Sequence, residues 1–347
     1  MSGLPHAAPE DVGLDPRRLE SAFRLLEEWT SGEDAPIPGG AILVGRNGKI
    51  VPPRFLGRQG PERDAEPIRE DGIFLLASIS KPITYLGAML LVERGQLNLC
   101  DRVTRYIPEF AAHRKKDALV LHLFTHSSGL PDMLPNNAEL RKAHAPLSRF
   151  IDGAIRETAL GFPPGTDCRY QSMVTLVVAE LIQRISGKTI HQFLKDEVFN
   201  PLGLESTALG SRGLAEERLV RVQTPDYQQD SDFGWNSAYW RELGSPWGGM
   251  FSTPEDFAVI CQLMLGRGAL GSVRLLAPRT VDRMTENRLQ DQPDMPERIR
   301  RRSPWGLGWQ LNHTGTRGSW GELLGPRVYG HSGATGTLAW IDPDTST

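Results

Sequence analysis

The stretch Ile73-Phe74-Leu75-Leu76-Ala77-Ser78-Ile79-Ser80-Lys81-Pro82 joins an alternating apolar run to a long apolar helix. It holds the only Ser-x-x-Lys of the chain, which has just seven lysines in 347 residues. Positions three apart share one face of a helix, so Ser78 at the helix start and Lys81 one turn on can touch. A serine hydroxyl is a weak nucleophile and needs a neighbouring base to take its proton. The free N–H groups of a helix N-terminus favour the negative charge that develops in acyl transfer. The plain alternative is a serine that caps a helix ahead of a solvated lysine. Against it, Ile83, Leu86, Met89, Leu90 and Val92 put apolar residues on more than one face, which predicts a buried helix. A lysine buried there needs a partner or a purpose, because desolvation disfavours its charged form. Pro82 falls in the first turn, where a missing N–H does least harm.

Upstream, residues 14–30 read as an amphipathic helix with Leu19, Phe23, Leu26 and Trp29 on one face. Ala41 to Gly45 reads as a buried strand, Asn47-Gly48 as a hairpin turn and Ile50 to Leu56 as the returning strand. The Ser78 helix should end near Gly95. Leu97 to Phe110 reads as turns and short helix, and Leu119 to Phe124 starts a helix that stops at His126-Ser127-Ser128-Gly129. Residues 131–170 carry little strand signal. Met173 to Ile185 is a helix pattern, with Ser172 as its cap and Gly187 at its end. Thr253-Pro254-Glu255-Asp256 combines an N-cap, a first-turn proline and an acid, and starts a helix that turns Phe257, Ile260, Leu263 and Met264 inward and stops at Gly266. Strand character returns in Gly306 to Leu311, Arg327 to Tyr329 and Thr337 to Ile341. Strands at both ends and helices between them predict an α/β (α+β) domain built from residues 1–83 and 241–347, with a mainly helical domain, 84–240, inserted.

Composition narrows the function classes. A net charge of −3 gives no electrostatic case for nucleic acid or an acidic membrane surface. No window approaches the roughly 18 apolar residues of a membrane span. Cys100, Cys168 and Cys261 are odd in number and widely spaced, which fits neither a disulfide framework nor a zinc site. No basic segment followed by an apolar one opens the chain, so the expected address is the cytoplasm unless a leader precedes the given sequence. No metal and no organic cofactor is implied.

Two further motifs follow Ser78 in order. Tyr170-Gln171-Ser172 comes after Phe162-Pro163-Pro164-Gly165 and is the only Tyr-x-Ser or Tyr-x-Asn among six tyrosines. A phenol is a poor base, and a nearby ammonium should lower its pKa, so a tyrosine beside Lys81 can shuttle protons. The structural alternative is a half-buried aromatic followed by a helix cap. Gly330-His331-Ser332-Gly333-Ala334-Thr335-Gly336 reads as an edge strand whose small residues let a substrate backbone approach. The backbone N–H of Ala334 there can join that of Ser78 as an oxyanion hole. His313-Thr314-Gly315 repeats the pattern, but only His331 runs straight into a strand, Thr337 to Ile341.

Ser-x-x-Lys, Tyr-x-Asn/Ser and Lys/His-x-Gly, in this order, resemble the class C β-lactamase-like serine hydrolases, which include class C β-lactamases, serine DD-peptidases and family VIII carboxylesterases. Ala77-Ser78-Ile79-Ser80-Lys81-Pro82-Ile83-Thr84, Leu123-Phe124-Thr125-His126-Ser127-Ser128-Gly129-Leu130-Pro131 and Phe162-Pro163-Pro164-Gly165 add to the likeness, which covers roughly residues 10–345. The resemblance implies a β-lactamase/penicillin-binding-protein-like fold, with an antiparallel sheet flanked by helices, a helical domain, and the site in the cleft between. It implies Ser78 as the acylated nucleophile, Lys81 as its base and Tyr170 as the proton relay. Ser172, His331, Ser332 and Gly333 would touch substrate, and His126, Ser127 and Ser128 would be structural.

Two departures bear on function. His331 stands where β-lactamases usually carry lysine, and a neutral ring does not hold a β-lactam carboxylate as a cation does. The resemblance also implies a further strand and a C-terminal helix beyond Thr347; without them a sheet edge and face would be bare, or covered by something else. The expected activity is hydrolysis of small esters. The alternatives are a β-lactamase or a DD- or D-amino peptidase acting on amides, and a binding protein of the same fold that has lost turnover. No Gly-x-Ser-x-Gly motif is present to support a conventional esterase.

Overall fold

The computed structural model describes residues 3–32, 34–226, 231–312, 320–321 and 323–347. Helix α1 (Pro16–Thr30) starts where the Asp15 side chain accepts hydrogen bonds from the Arg17 and Arg18 N–H groups, with Pro16 at its first position. Strands β1 (Gly39–Arg46) and β2 (Lys49–Gly57) form a hairpin across Asn47-Gly48. Both turn residues have positive φ, 54° and 78°, the geometry that matches the natural twist of the flanking strands.

Strands β3 (Phe74–Leu75), β4 (Ala208–Leu209) and β5 (Met250–Ser252) make a small sheet ordered β3-β5-β4, and β6 (Ala269–Leu270) pairs with β7 (Val273–Arg274). Strands β8 (Gln310–Leu311), β9 (Tyr329–Ser332) and β10 (Leu338–Ile341) form an antiparallel sheet ordered β10-β9-β8. Residues 76–207 contain helices and loops but no strand. The antiparallel β structure thus comes as several small sheets flanked by helices. The Pro254–Leu265 helix touches β1, β2 and β10, and so bridges the N-terminal hairpin and the C-terminal sheet. It starts as its sequence predicts, with the Thr253 hydroxyl accepting from the Asp256 N–H.

Helix α2 (Ser80–Glu93) carries the site. Residues Ser80 to Leu91 are all buried, and the helix packs against the Val174–Ser186 helix. Burial all round explains why it persists without a side-chain cap.

Several expectations fail for identifiable reasons. Trp29 is 48% exposed, because Phe23, Leu26 and Thr30 form the buried stripe of α1 and Trp29 lies off it. Strand β1 is only half-buried along its length. Gly306 to Trp309 is not strand. Gly308 has φ 83° and lies over the Tyr85 ring, where a Cβ would collide, so the chain turns here before β8. Strand β9 begins at Tyr329 rather than Arg327 and takes in Gly330, His331 and Ser332. It is the central strand of its sheet, not an edge. Only Tyr329 and Gly330 pair with β8, which leaves the His331–Ser332 end bonded to β10 alone. His313-Thr314-Gly315 lies outside the described residues. Among the described residues no helix is long and apolar enough to cross a membrane.

Candidate active site

Ser78 sits in a short 3-10 turn, Ala77–Ile79, that leads directly into α2. Ala77 precedes it with φ 47°, a left-handed conformation that is strained for a residue with a Cβ. Ser80 holds this turn shut. Its hydroxyl donates to the Ala77 carbonyl at 2.6 Å and accepts from the Met250 N–H at 3.0 Å, so the bend is pinned to β5.

One turn on, Lys81 is fully buried, with Nζ 2.8 Å from Ser78 Oγ and 3.0 Å from the Trp247 carbonyl. Burial pulls its pKa from 10.5 down to about 7, partly countered by the negative charge of Asp132. The cost of keeping an ammonium out of water makes this lysine a base near neutral pH.

Tyr170 joins this pair. Its ring lies 4.7 Å from Lys81 Nζ, and its hydroxyl feels those of Ser78 and Ser172. The residue as a whole is 39% exposed. Burial pushes the phenol's pKa up, while the Ser78 and Ser172 hydroxyls pull it partly back. This corrects the expectation that the neighbouring lysine lowers it. Desolvation outweighs the attraction of an amine that is itself close to neutral, so Tyr170 stays protonated and acts as a donor.

Ser172 is buried and does not cap the next helix through its hydroxyl; Met173 holds the N-cap position, without a side-chain cap. The segment 170–172 is held from below by the 126–132 loop. Ser128 Oγ donates to Gln171 Oε1 at 2.8 Å, and the Gln171 N–H donates to His126 Nδ1 at 3.2 Å. The Asp132 carboxylate accepts from the Ser172 N–H at 2.7 Å.

His331 lies in the same wall. It is 2% exposed, and its ring centroid is 5.9 Å from those of Tyr170 and Trp305. Its Nδ1 is 2.7 Å from the Ser332 carbonyl, so Nδ1 carries the proton. Burial, together with the charge of Lys81, pulls its pKa down to about 3, so the ring is neutral.

Ser332 and Ala334 are exposed. Thr335 and Thr337 donate their hydroxyl protons to the Leu75 and Leu76 carbonyls, each at 2.8 Å, tying the 333–337 turn onto the approach to Ser78. Gly333 fits because a Cβ there would sit 2.5 Å from the Leu76 carbonyl and crowd Thr337 Oγ1. Its small size serves packing against the nucleophile turn.

The geometry thus brings Ser78, Lys81, Tyr170, Ser172 and His331 together, with the 332–334 turn alongside. Further residues line the site. His126, expected to be structural, lies tilted against the Tyr170 ring at 4.9 Å and meets Trp305 edge-on at 4.3 Å. Trp305, just before the Gly306 to Leu311 stretch, carries no site signal, and neither do Asp132 and the Trp247 carbonyl. A cavity of about 760 Å³ lined by Glu62, His144, Arg221 and Tyr239 contains none of the predicted residues. Among the described residues no cluster of metal-ligating side chains occurs.

The sequence model of the Beta-lactamase family matches residues 26–347. A protein of Salmonella paratyphi B (strain ATCC BAA-1250 / SPB7) named "Putative D-alanyl-D-alanine carboxypeptidase" is 27% identical, over 98% of this chain and 83% of its own length. Among solved structures, a family VIII carboxylesterase superposes with a TM-score of 0.75 at 21% identity, covering 100% of this chain and 92% of its own. A penicillin-binding protein homologue from Caulobacter crescentus gives a TM-score of 0.74 at 21% identity, covering 96% and 91%.

Proposed function

The chain belongs to the Beta-lactamase family, and on that premise we propose that it is a serine hydrolase that works through a Ser78 ester, with small carboxylic esters as its substrates. The observation that carries this reading is the 2.8 Å contact between Ser78 Oγ and a buried Lys81 whose pKa is near 7. One N–H of the neutral amine goes to the Trp247 carbonyl, which leaves the lone pair free for Ser78. Ser78 Oγ attacks the carbonyl carbon as its proton passes to Lys81. The N–H groups of Ser78 and Ala334 receive the developing oxyanion. Tyr170 gives its proton to the departing alkoxide and regains one from Lys81. Water then attacks the acyl-enzyme by the reverse route, and the acid leaves. On this reading Ser78 lies at the junction of an α/β part, 1–83 and 241–347, and a mainly helical part, 84–240.

Esters are preferred to β-lactams and peptides for an electrostatic reason. A neutral His331 supplies no cation for a substrate carboxylate, and a D-alanyl-D-alanine substrate ends in one. An ester leaving group also needs less protonation than an amide. Labelling with a fluorophosphonate should modify Ser78, and Ser78→Ala should abolish both label and turnover. A chromogenic short-chain ester should exceed a chromogenic cephalosporin in kcat/KM by about 10², or about 3 kcal/mol of transition-state stabilisation. Equal turnover of the two would replace the esterase reading by a β-lactamase. Absence of both label and turnover would leave a binding protein.

A further inference from the structure

Asp132 is an exposed carboxylate anchored beside the catalytic groups. Its backbone carbonyl accepts from the Ser172 and Met173 N–H groups at 3.1 and 2.8 Å, and its Oδ1 accepts from the Ser172 N–H at 2.7 Å. These bonds fix its position two residues from Tyr170. Its charge is felt at both Lys81 and Tyr170, raising the proton affinity of each. Among the described residues it forms no ion pair. Arg169, the cation next to Tyr170 in sequence, is paired with Asp167 at 2.8 Å. Across the site His331 is buried and neutral. Asp132 thus sets a carboxylate near Lys81 and Tyr170, and His331 offers no positive charge to offset it.

We propose that Asp132 determines specificity in this cleft and selects substrates that carry a cation beside the scissile bond, such as esters with an ammonium group on the acyl chain. The inference rests on the hydrolase reading above and adds the charge class of its substrate. The carboxylate attracts the ammonium by Coulomb's law, weakened by solvent screening to an effect of about tenfold at low salt. The same charge repels a carboxylate-bearing substrate.

The test uses three chromogenic esters with one leaving group and acyl chains ending in trimethylammonium, tert-butyl or carboxylate. The wild-type protein should rank them cationic, neutral, anionic in kcat/KM. The cationic-to-neutral ratio should be about ten at low salt and shrink several-fold in 1 M salt. Asp132→Asn retains an oxygen acceptor for the Ser172 N–H while removing the charge. In that variant the ratio should fall to near one, mainly through a higher KM for the cationic ester. Asp132→Ala removes the side-chain anchor of the Ser172 N–H too, and should also slow Ser78 labelling by the fluorophosphonate. Turnover with no charge preference in the wild type, or a preference that survives in Asp132→Asn, overturns the inference and leaves the hydrolase reading standing. If no ester is turned over and Ser78 is not labelled, the hydrolase reading fails and takes this inference with it.

Discussion

Replacing Lys81 with methionine should stabilise the fold while abolishing turnover, and the stabilisation should depend on pH. Lys81 is fully buried, and its pKa drops from 10.5 to about 7. At roughly 1.36 kcal/mol per pKa unit, this opposes folding by about 5 kcal/mol at most. Below pH 7 the amine is protonated in both folded and unfolded chains, so the whole penalty is present. Between about 7 and 10.5 the unfolded chain binds the extra proton, so wild-type stability rises with pH, and above 10.5 the penalty is gone. Methionine fills a similar volume without charge but leaves the Trp247 carbonyl without its Lys81 partner, at a cost of about 1–3 kcal/mol. The net gain should be about 2–4 kcal/mol near pH 6.5 and about zero near pH 9.5. Urea denaturation of wild type and Lys81→Met at the two pH values measures it, and titrations elsewhere in the chain cancel in the difference. A stability difference that stays the same at both pH values would refute the depressed lysine, and with it the base at the centre of the proposed mechanism.

Ser80→Ala should cost about 1–3 kcal/mol, because it leaves the buried Met250 N–H without its partner and takes one of two donors from the Ala77 carbonyl; a thermal melt reads this, and an unchanged Tm would mean that Ser80 does not pin the turn. Gly333→Ala should lower stability by about 1–3 kcal/mol through overpacking against Leu76 and Thr337 and slow acylation of Ser78, as seen by melting and by the rate of fluorophosphonate labelling. The pH profile of kcat/KM should rise with its midpoint at about pH 7 as Lys81 loses its proton; Tyr170, held above its ordinary value of 10, should give no alkaline fall below about pH 10. A rising midpoint near pH 9 would point to another base. Tyr170→Phe should lower the rate by roughly 10²–10⁴, the usual range for an acid–base group, without changing the fold; a loss under tenfold would remove it from the relay.

Local chemistry in the sequence determined several elements and the meeting of Ser78 with Lys81. Asn47-Gly48 dictates a tight turn whatever surrounds it, and Thr253-Pro254-Glu255-Asp256 starts a helix through bonds within four residues. Ser78 and Lys81 meet because they lie three residues apart, so their contact follows from the helical repeat alone. The order of the three motifs indicated which distant residues would join them.

What the sequence left open depends on neighbours remote in the chain. Whether Gly306 to Trp309 is strand or turn is decided by the Tyr85 ring beneath Gly308, over two hundred residues away. Strand β9 is central rather than an edge because Gln310 and Leu311 return to pair with it. Ionisation was the least legible property. Spacing puts an amine beside a hydroxyl, but only the packing of α2 removes the water that would keep Lys81 charged. The same dehydration raises the Tyr170 phenol, where pairwise reasoning had lowered it. Asp132, Trp305 and His126 joined the site through tertiary contacts that their own sequence positions do not signal. Sequence thus brings Ser78 and Lys81 into contact, because that contact is local; their proton affinities, and the charge around them, are sums over the folded surroundings, and only the tertiary structure decides those.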